Sequence, residues 1–126
     1  MNLVDSTGWL EYFADGPNAE CFAPPIEDTA NLIVPSIILY EVFKKVLQQK
    51  DEATALQSVA FVYQGKILDL NAEIALDAVR ISVGVSLPMA DSIILATARR
   101  HEAVIWTQNS DFQNIEGVRY FAHKGK

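Results

Sequence analysis

Apolar residues fall along this chain in two rhythms. Short unbroken runs alternate with longer stretches in which apolar positions recur every three or four residues. Residues 1–5 form a run of the first kind and fit a buried strand, as do 31–34, 67–70, 104–107 and 118–122. Between them, residues 6–14 carry Trp9, Leu10 and Phe13 at helical spacing until Gly16-Pro17 stops the pattern. Residues 18–28 predict a short helix broken near Pro24-Pro25. Pro35-Ser36 opens a helix running to about Gln49, with Ser36 as its N-cap. Residues 51–64 are helical, Asn71 caps a helix that ends near Gly84, and Pro88 starts another over 89–101. Strands that are short and apolar on both faces, alternating with helices, predict a three-layer α/β/α sandwich around a mostly parallel sheet. In such sheets ligands bind outside the carboxyl ends of the strands.

Composition narrows this picture. A chain of 126 residues that is 50% hydrophobic can bury a core, and residues 1–126 read as one domain. No apolar run reaches the ~18 residues of a membrane span. The opening Met1-Asn2-Leu3-Val4-Asp5 meets an acid at once and has no basic region, unlike a signal peptide, so a cytoplasmic protein away from membranes is expected. One cysteine, Cys21, and two histidines make neither a disulfide nor a zinc set. The net charge of -6 argues against a broad basic surface for nucleic acid. It leaves room for a nuclease, since cations held by carboxylates supply local positive charge.

Most of the acids need no explanation. Glu11, Asp15, Glu20, Glu27, Asp28, Asp51, Glu52, Asp77, Glu102 and Glu116 lie in polar stretches and are expected to face solvent. Three others stand among apolar neighbours. Asp5 follows Leu3-Val4 at the end of the first strand. Glu41 lies four residues after Ile37 and three after Ile38, on that helix's apolar stripe. Asp91 precedes Ile94, Leu95 and Ala98 on the apolar face of its own helix. An unpaired buried carboxylate costs several kcal/mol, and these faces offer no matching Lys or Arg. If the acids converge, a divalent cation relieves the repulsion, and hard oxygen ligands suit Mg²⁺ or Mn²⁺. The plain alternative is that each caps a helix or faces solvent, above all Asp91 in the first turn of its helix. Asp111, in the loop after the strand at 104–107, joins the list, although a loop Asp is commonly a turn residue.

Four segments taken together resemble the PIN domain, in particular the toxin ribonucleases of VapBC toxin–antitoxin pairs. They are Leu3-Val4-Asp5-Ser6-Thr7, then Pro35 through Val42 with Glu41, then Leu87 through Ala98 with Asp91, and Trp106-Thr107-Gln108-Asn109-Ser110-Asp111-Phe112. Many members carry Asp two residues after the Thr, where this chain has Asn109, so either Asn109 or Asp111 fills the fourth position. The resemblance implies an endoribonuclease that cleaves phosphodiester bonds by water, leaving 5′-phosphate and 3′-hydroxyl ends. It implies one or two Mg²⁺ or Mn²⁺ ions on the acidic cluster, a homodimer, and a VapB-type antitoxin as partner.

On this reading Asp5, Glu41, Asp91 and Asp111 are the catalytic and metal-binding set. Thr7, Ser92, Thr107 and Asn109 stand behind them; Thr7 and Ser92 orient carboxylates or simply cap helices. Lys44 and Lys45, about one turn past Glu41, meet RNA phosphates or form a solvated helix end, and Arg99 and Arg100 face the same choice. The apolar residues Val59, Phe61, Val62 and Tyr63 suggest a surface for a second copy and an antitoxin helix, or ordinary core. Other chemistries fit less well. Cys21 has no His nearby in sequence, and His101 at a helix end complements the dipole more readily than it pairs with His123. No phosphate-binding glycine loop is present. An Asp-dependent phosphatase usually wants Asp-x-Asp after the first strand, where this chain has Asp5-Ser6-Thr7. A degenerate PIN scaffold that binds RNA or a partner without catalysis is the remaining rival.

Overall fold

A computed structural model of the chain describes residues 1–124. The first strand, β1 (Asn2–Val4), pairs in parallel with β2 (Leu32–Pro35) on one side and β4 (Val104–Thr107) on the other. The outer strands β3 (Lys66–Leu68) and β5 (Val118–Tyr120) complete the sheet, in the order β3-β2-β1-β4-β5 with every pairing parallel. Two helices follow each of the first three strands. They are α1 (Ser6–Phe13) and α2 (Ala19–Glu27), α3 (Ser36–Gln49) and α4 (Glu52–Val62), and α5 (Ala72–Val85) and α6 (Met89–Arg100). By the right-handed rule for connections between parallel strands, α1 to α4 cover one face as the chain moves outward from β1 to β3. The return from β3 to β4 reverses direction and places α5 and α6 on the other face. The result is the expected three-layer sandwich.

The central strands carry the core. Leu3, Val4, Leu32, Ile33, Val34 and Ile105 are almost fully buried, with Trp9, Phe22, Ile38, Val42, Ile94 and Leu95 packed on them from the helices. Gly8 lets α1 sit this close, because a Cβ there would lie 2.6 Å from Val4 and 2.7 Å from Phe22. Asp51 caps α4 by accepting from Thr54 N at 2.7 Å, and Asn71 caps α5 through Ile74 N at 2.9 Å.

Four local expectations change. Ser36 is not the N-cap of α3. Pro35, still paired with Leu68 in the sheet, holds that position without a side-chain bond, and Ser36 falls inside the first turn. Pro24-Pro25 does not break α2, which runs through both prolines. Burial of Phe22, Pro25 and Ile26 against the sheet outweighs the missing N–H groups there. Glu11 is buried rather than solvated, and its carboxylate accepts from Asn18 N at 2.7 Å. The stripe on α4 is largely core. Val62 is fully buried, and Phe61 packs against Trp9, Tyr12 and Phe13, leaving Tyr63 exposed. The exposed apolar side chains gather instead on α5 and the start of α6, at Leu76, Val79, Val83, Val85 and Met89.

Among the described residues, no single helix is long and apolar enough to cross a membrane. The α5–α6 pair passes that test together, yet bends by 116° between its halves, and α6 is buried from Asp91 to Ala98.

Candidate active site

The chain leaves β1 toward β2 on one side and arrives at β4 on the other, so the crevice between the carboxyl ends of β1 and β4 is the sheet's switch point. Asp5 stands there. It is the N-cap of α1, accepting from Gly8 N at 3.1 Å, and it is only 2% exposed. Thr7 donates to Oδ1 and Thr107, at the end of β4, donates to Oδ2, each at 2.6 Å. Both hydroxyls accept in turn, Thr7 from Gln108 N at 3.0 Å and Thr107 from Asn109 N at 2.8 Å. A hydroxyl has one proton, so the two directions of each bond are fixed. The 3.4 Å between the two hydroxyl oxygens is then a contact between acceptors.

Three donors hold the Asp5 carboxylate, yet burial dominates and pushes its pKa from 3.8 to about 6, with the charge of Glu41 adding to the rise. Glu41, half-buried on α3, is also raised, mainly by burial, while the Ser6 hydroxyl draws it down. Asp91, 9% exposed in the first turn of α6, rises to about 6. Burial is the largest cause, the neighbouring Asp111 adds to it, and Asn109 opposes it. Asn109 donates its amide to both Asp91 oxygens, at 3.3 and 3.2 Å, and its own oxygen accepts from Asp111 N at 3.0 Å. The amide oxygen is therefore engaged by the backbone, while Asp111 presents a carboxylate to Asp91 from an exposed position on the 3-10 turn Ser110–Phe112. Phe112, fully buried, anchors that turn.

The acids approach pairwise through Asp5 with Glu41 and Asp91 with Asp111, and Asp5 also bears on Asp91. Among the described residues, no three His, Cys, Asp or Glu side chains close into a ready metal cage. None of the four acids has a cationic partner among the described residues, where ion pairs link only Arg80 and Arg100 to Asp77 and Glu73. Four carboxylates without a cation offer the all-oxygen donor set that a hard divalent ion takes.

Other candidates fall elsewhere. Ser92 takes the helix-start role rather than orienting a carboxylate, its hydroxyl directed at the carbonyls of Pro88 (2.8 Å) and Leu87 (3.2 Å). Lys44 and Lys45 are exposed along α3, with Lys44 lying 5.6 Å from the Tyr40 ring centroid. Arg100 is engaged with Asp77 at 2.7 Å and Glu73 at 3.6 Å. His101 precedes β4 and His123 follows β5, so in a parallel sheet they sit at opposite ends and form no acid–base pair. Cys21 lies within α2, half-buried against the core. The residues that sequence reasoning missed are Ser6 beside Glu41 and the Asn18–Gln108 bond of 2.7 Å behind the site. No local pattern marks either, because each depends on a partner brought by the fold.

Fold and crevice together define a class, the parallel α/β domains that gather acidic side chains at the switch point of the sheet. Within that class, a family model described as "PIN domain" matches residues 3–118. The chain belongs to the PIN domain family. No curated protein sequence matches it. Among solved structures, it resembles a toxin–antitoxin complex from Klebsiella pneumoniae with TM-score 0.77 and 24% identity, over 94% of this chain and 96% of that one. VapBC2 from Rickettsia felis, bound to a promoter DNA fragment, gives 0.75 and 16% over 95% and 96%. VapC20 of Mycobacterium tuberculosis, a sarcin-ricin loop cleaving toxin, gives 0.76 and 12% over 92% and 95%. These likenesses describe a shared fold.

Proposed function

We propose that this chain is a divalent-metal-dependent endoribonuclease and the toxin of a toxin–antitoxin pair. The observation that carries this reading is the group of four acids at the switch point, two of them with pKa raised to about 6 and none with a cationic partner among the described residues. Asp5 and Asp91 would hold Mg²⁺ or Mn²⁺, with Glu41 and Asp111 completing the set. When bound, the ion supplies an acidified water and charge stabilisation at the phosphoryl group. The chain's own residues do the positioning. Thr7 and Thr107 fix both oxygens of Asp5, and Asn109 holds the Asp91 carboxylate toward the crevice. Burial of Asp5 keeps bulk water from its carboxylate.

The partners follow from the same reading. The exposed apolar face of α5 and α6 supports a homodimer, and an antitoxin segment is proposed from the toxin–antitoxin complexes that share this fold. A cytoplasmic location fits an RNA substrate.

A second reading has a specific observation in its favour. Asn109 stands where many members carry Asp, and its amide oxygen is committed to the backbone of Asp111. A scaffold that binds RNA without cutting it would tolerate that change. Incubating purified protein with labelled RNA in Mn²⁺, in Mg²⁺ and in EDTA separates the two. Cleavage that needs the metal, is lost in Asp91→Asn and leaves 5′-phosphate ends is expected. RNA binding with no cleavage in either metal would overturn the enzymatic reading.

A further inference from the structure

A cleft of about 410 Å³ opens directly behind the acidic crevice, between α1, the carboxyl end of α3 and the segment after β5. Thr7 joins the two, because the side chain that donates to Asp5 also lines the cleft. The volume lies within the roughly 300–1,000 Å³ of small-ligand sites. Lys45 forms a common wall with a neighbouring hollow of about 270 Å³ that contains Glu41 and Lys44. The two hollows therefore adjoin at Lys45, and the second reaches Glu41.

The back wall of this cleft is built to present donors. Asn18 is 1% exposed, and its amide donates both to Gln108 Oε1 at 2.7 Å and to Ala122 O at 3.0 Å. With its oxygen occupied, Gln108 is left with an amide N–H pair to offer. The same Asn18 bolts down the segment that carries His123, aided by Phe121 N on Thr107 O at 2.9 Å and by the Phe121 ring against Phe22 and Trp106. Lys45 adds an ammonium, Glu11 a buried carboxylate that accepts from Asn18 N, and Gln49 an adaptable amide, while Leu10 and Ala14 supply apolar floor and His123 a flat ring. Amide donors, one cation and a stacking surface beside a phosphodiester-cutting centre match a single unstacked nucleotide.

We propose that this cleft is a nucleotide subsite that seats the base next to the cleaved bond. It favours a base with a carbonyl at C6 or C4, guanine or uracil, over adenine, which has an amine there. The inference rests on the ribonuclease reading for its position and on the cleft alone for its chemistry. Lys45 meets the adjoining phosphate or a base carbonyl, Gln108 and Gln49 read the base edge, and His123 stacks on its face.

The test uses the full chain with hexaadenylate RNA and its singly guanine- or uracil-substituted series. Binding is read by fluorescence anisotropy in EDTA, and cleavage by product mapping in Mn²⁺. Gln49→Ala and His123→Ala alter exposed positions, and thermal midpoints confirm that they fold. The wild type is expected to prefer guanine or uracil at one fixed position beside the cut. Each variant is expected to lose about fivefold in affinity for the preferred RNA, the scale of one hydrogen bond or stacking contact, and to lose the preference. Unchanged affinity and unchanged preference in both variants, or no RNA binding by the wild type, would overturn the subsite. Wild-type binding that discriminates bases and weakens in the variants, without any cleavage in Mn²⁺, would keep the subsite and sink the ribonuclease reading. Cleavage that both variants leave untouched would do the reverse.

Discussion

Replacing Asp5 by Asn should change the sign of its effect on stability as pH changes. The pKa of Asp5 rises from 3.8 to about 6 on folding. At about 1.4 kcal/mol for each tenfold change in proton affinity, that displacement corresponds to about 3 kcal/mol. The sign follows from linkage. Well below pH 3.8 the carboxyl is protonated in both states and exerts no penalty. Between pH 4 and 6 the unfolded chain ionises first, so stability falls, and above pH 6 the full cost of about 3 kcal/mol is present. Asn removes this titration. It also meets Thr7 and Thr107 with one acceptor where the carboxylate had two, which costs about 1 kcal/mol for a weakened hydrogen bond. As an N-cap, Asn serves about as well as Asp. In EDTA the variant should therefore be less stable than the wild type by about 1 kcal/mol at pH 3 and more stable by about 2 kcal/mol at pH 8. Thermal unfolding across this range reads the crossover, at about 2–8 °C for each kcal/mol in a domain near this size. Added Mn²⁺ at pH 8 should raise the midpoint of the wild type and leave the variant nearly unmoved. Two parallel pH profiles, or a variant that is weaker at pH 8, would show that Asp5 is not held at a cost in the folded state.

Three further outcomes follow. Thr107→Val removes a donor from Asp5 and leaves Asn109 N without its acceptor, so it should destabilise the fold by about 1–3 kcal/mol and extend the pH-dependent loss to higher pH; chemical denaturation at pH 5 and 8 checks both effects. Asn109→Asp replaces the amide that donates to Asp91 with a third carboxylate beside Asp91 and Asp111, so the midpoint in EDTA at pH 8 should drop while Mn²⁺ affinity by calorimetry rises. Equal midpoints in EDTA would mean that the Asn109 bonds do not persist in solution. Gly8→Ala drives a methyl into Val4 and Phe22 and should lower stability by about 1–3 kcal/mol, visible as an earlier urea midpoint with an unchanged slope.

Much of the fold is written in local pattern, and the reasons show in individual elements. The central strands are apolar on both faces because helices cover both, so 104–107 reads correctly to the residue. Asp5 and Asp91 stand out because each interrupts an apolar face. What escaped reading depends on partners far along the chain. Glu11 looks like an ordinary polar residue of a helix until Asn18 turns its backbone N–H toward it. Pro24-Pro25 reads as a break because proline removes a donor, and only the burial of Phe22 and Ile26 keeps α2 continuous. Ser36 matches the cap preference, yet β2 runs straight into α3 and leaves no separate cap position. Phe61 and Val62 could have faced solvent or core by spacing alone, and the aromatic neighbours on α1 decide the matter.

The central pairing of β1 with β4 joins the first residues of the chain to the last quarter of it. Asp5 acquires its second hydroxyl donor only when Thr107 arrives, and the turn that holds Asp91 comes later still. Loop-closure entropy makes such distant contacts late ones in folding. During synthesis, a chain that has emerged only to His101 has both Asp5 and Asp91 but lacks the strand and turn that hold them. On the ribonuclease reading, the site therefore stays incomplete until the segment after His101 has emerged. A fragment ending at residue 103 should accordingly fail to cleave RNA at any Mn²⁺ concentration, and activity in that fragment would show that β4 is dispensable to the site.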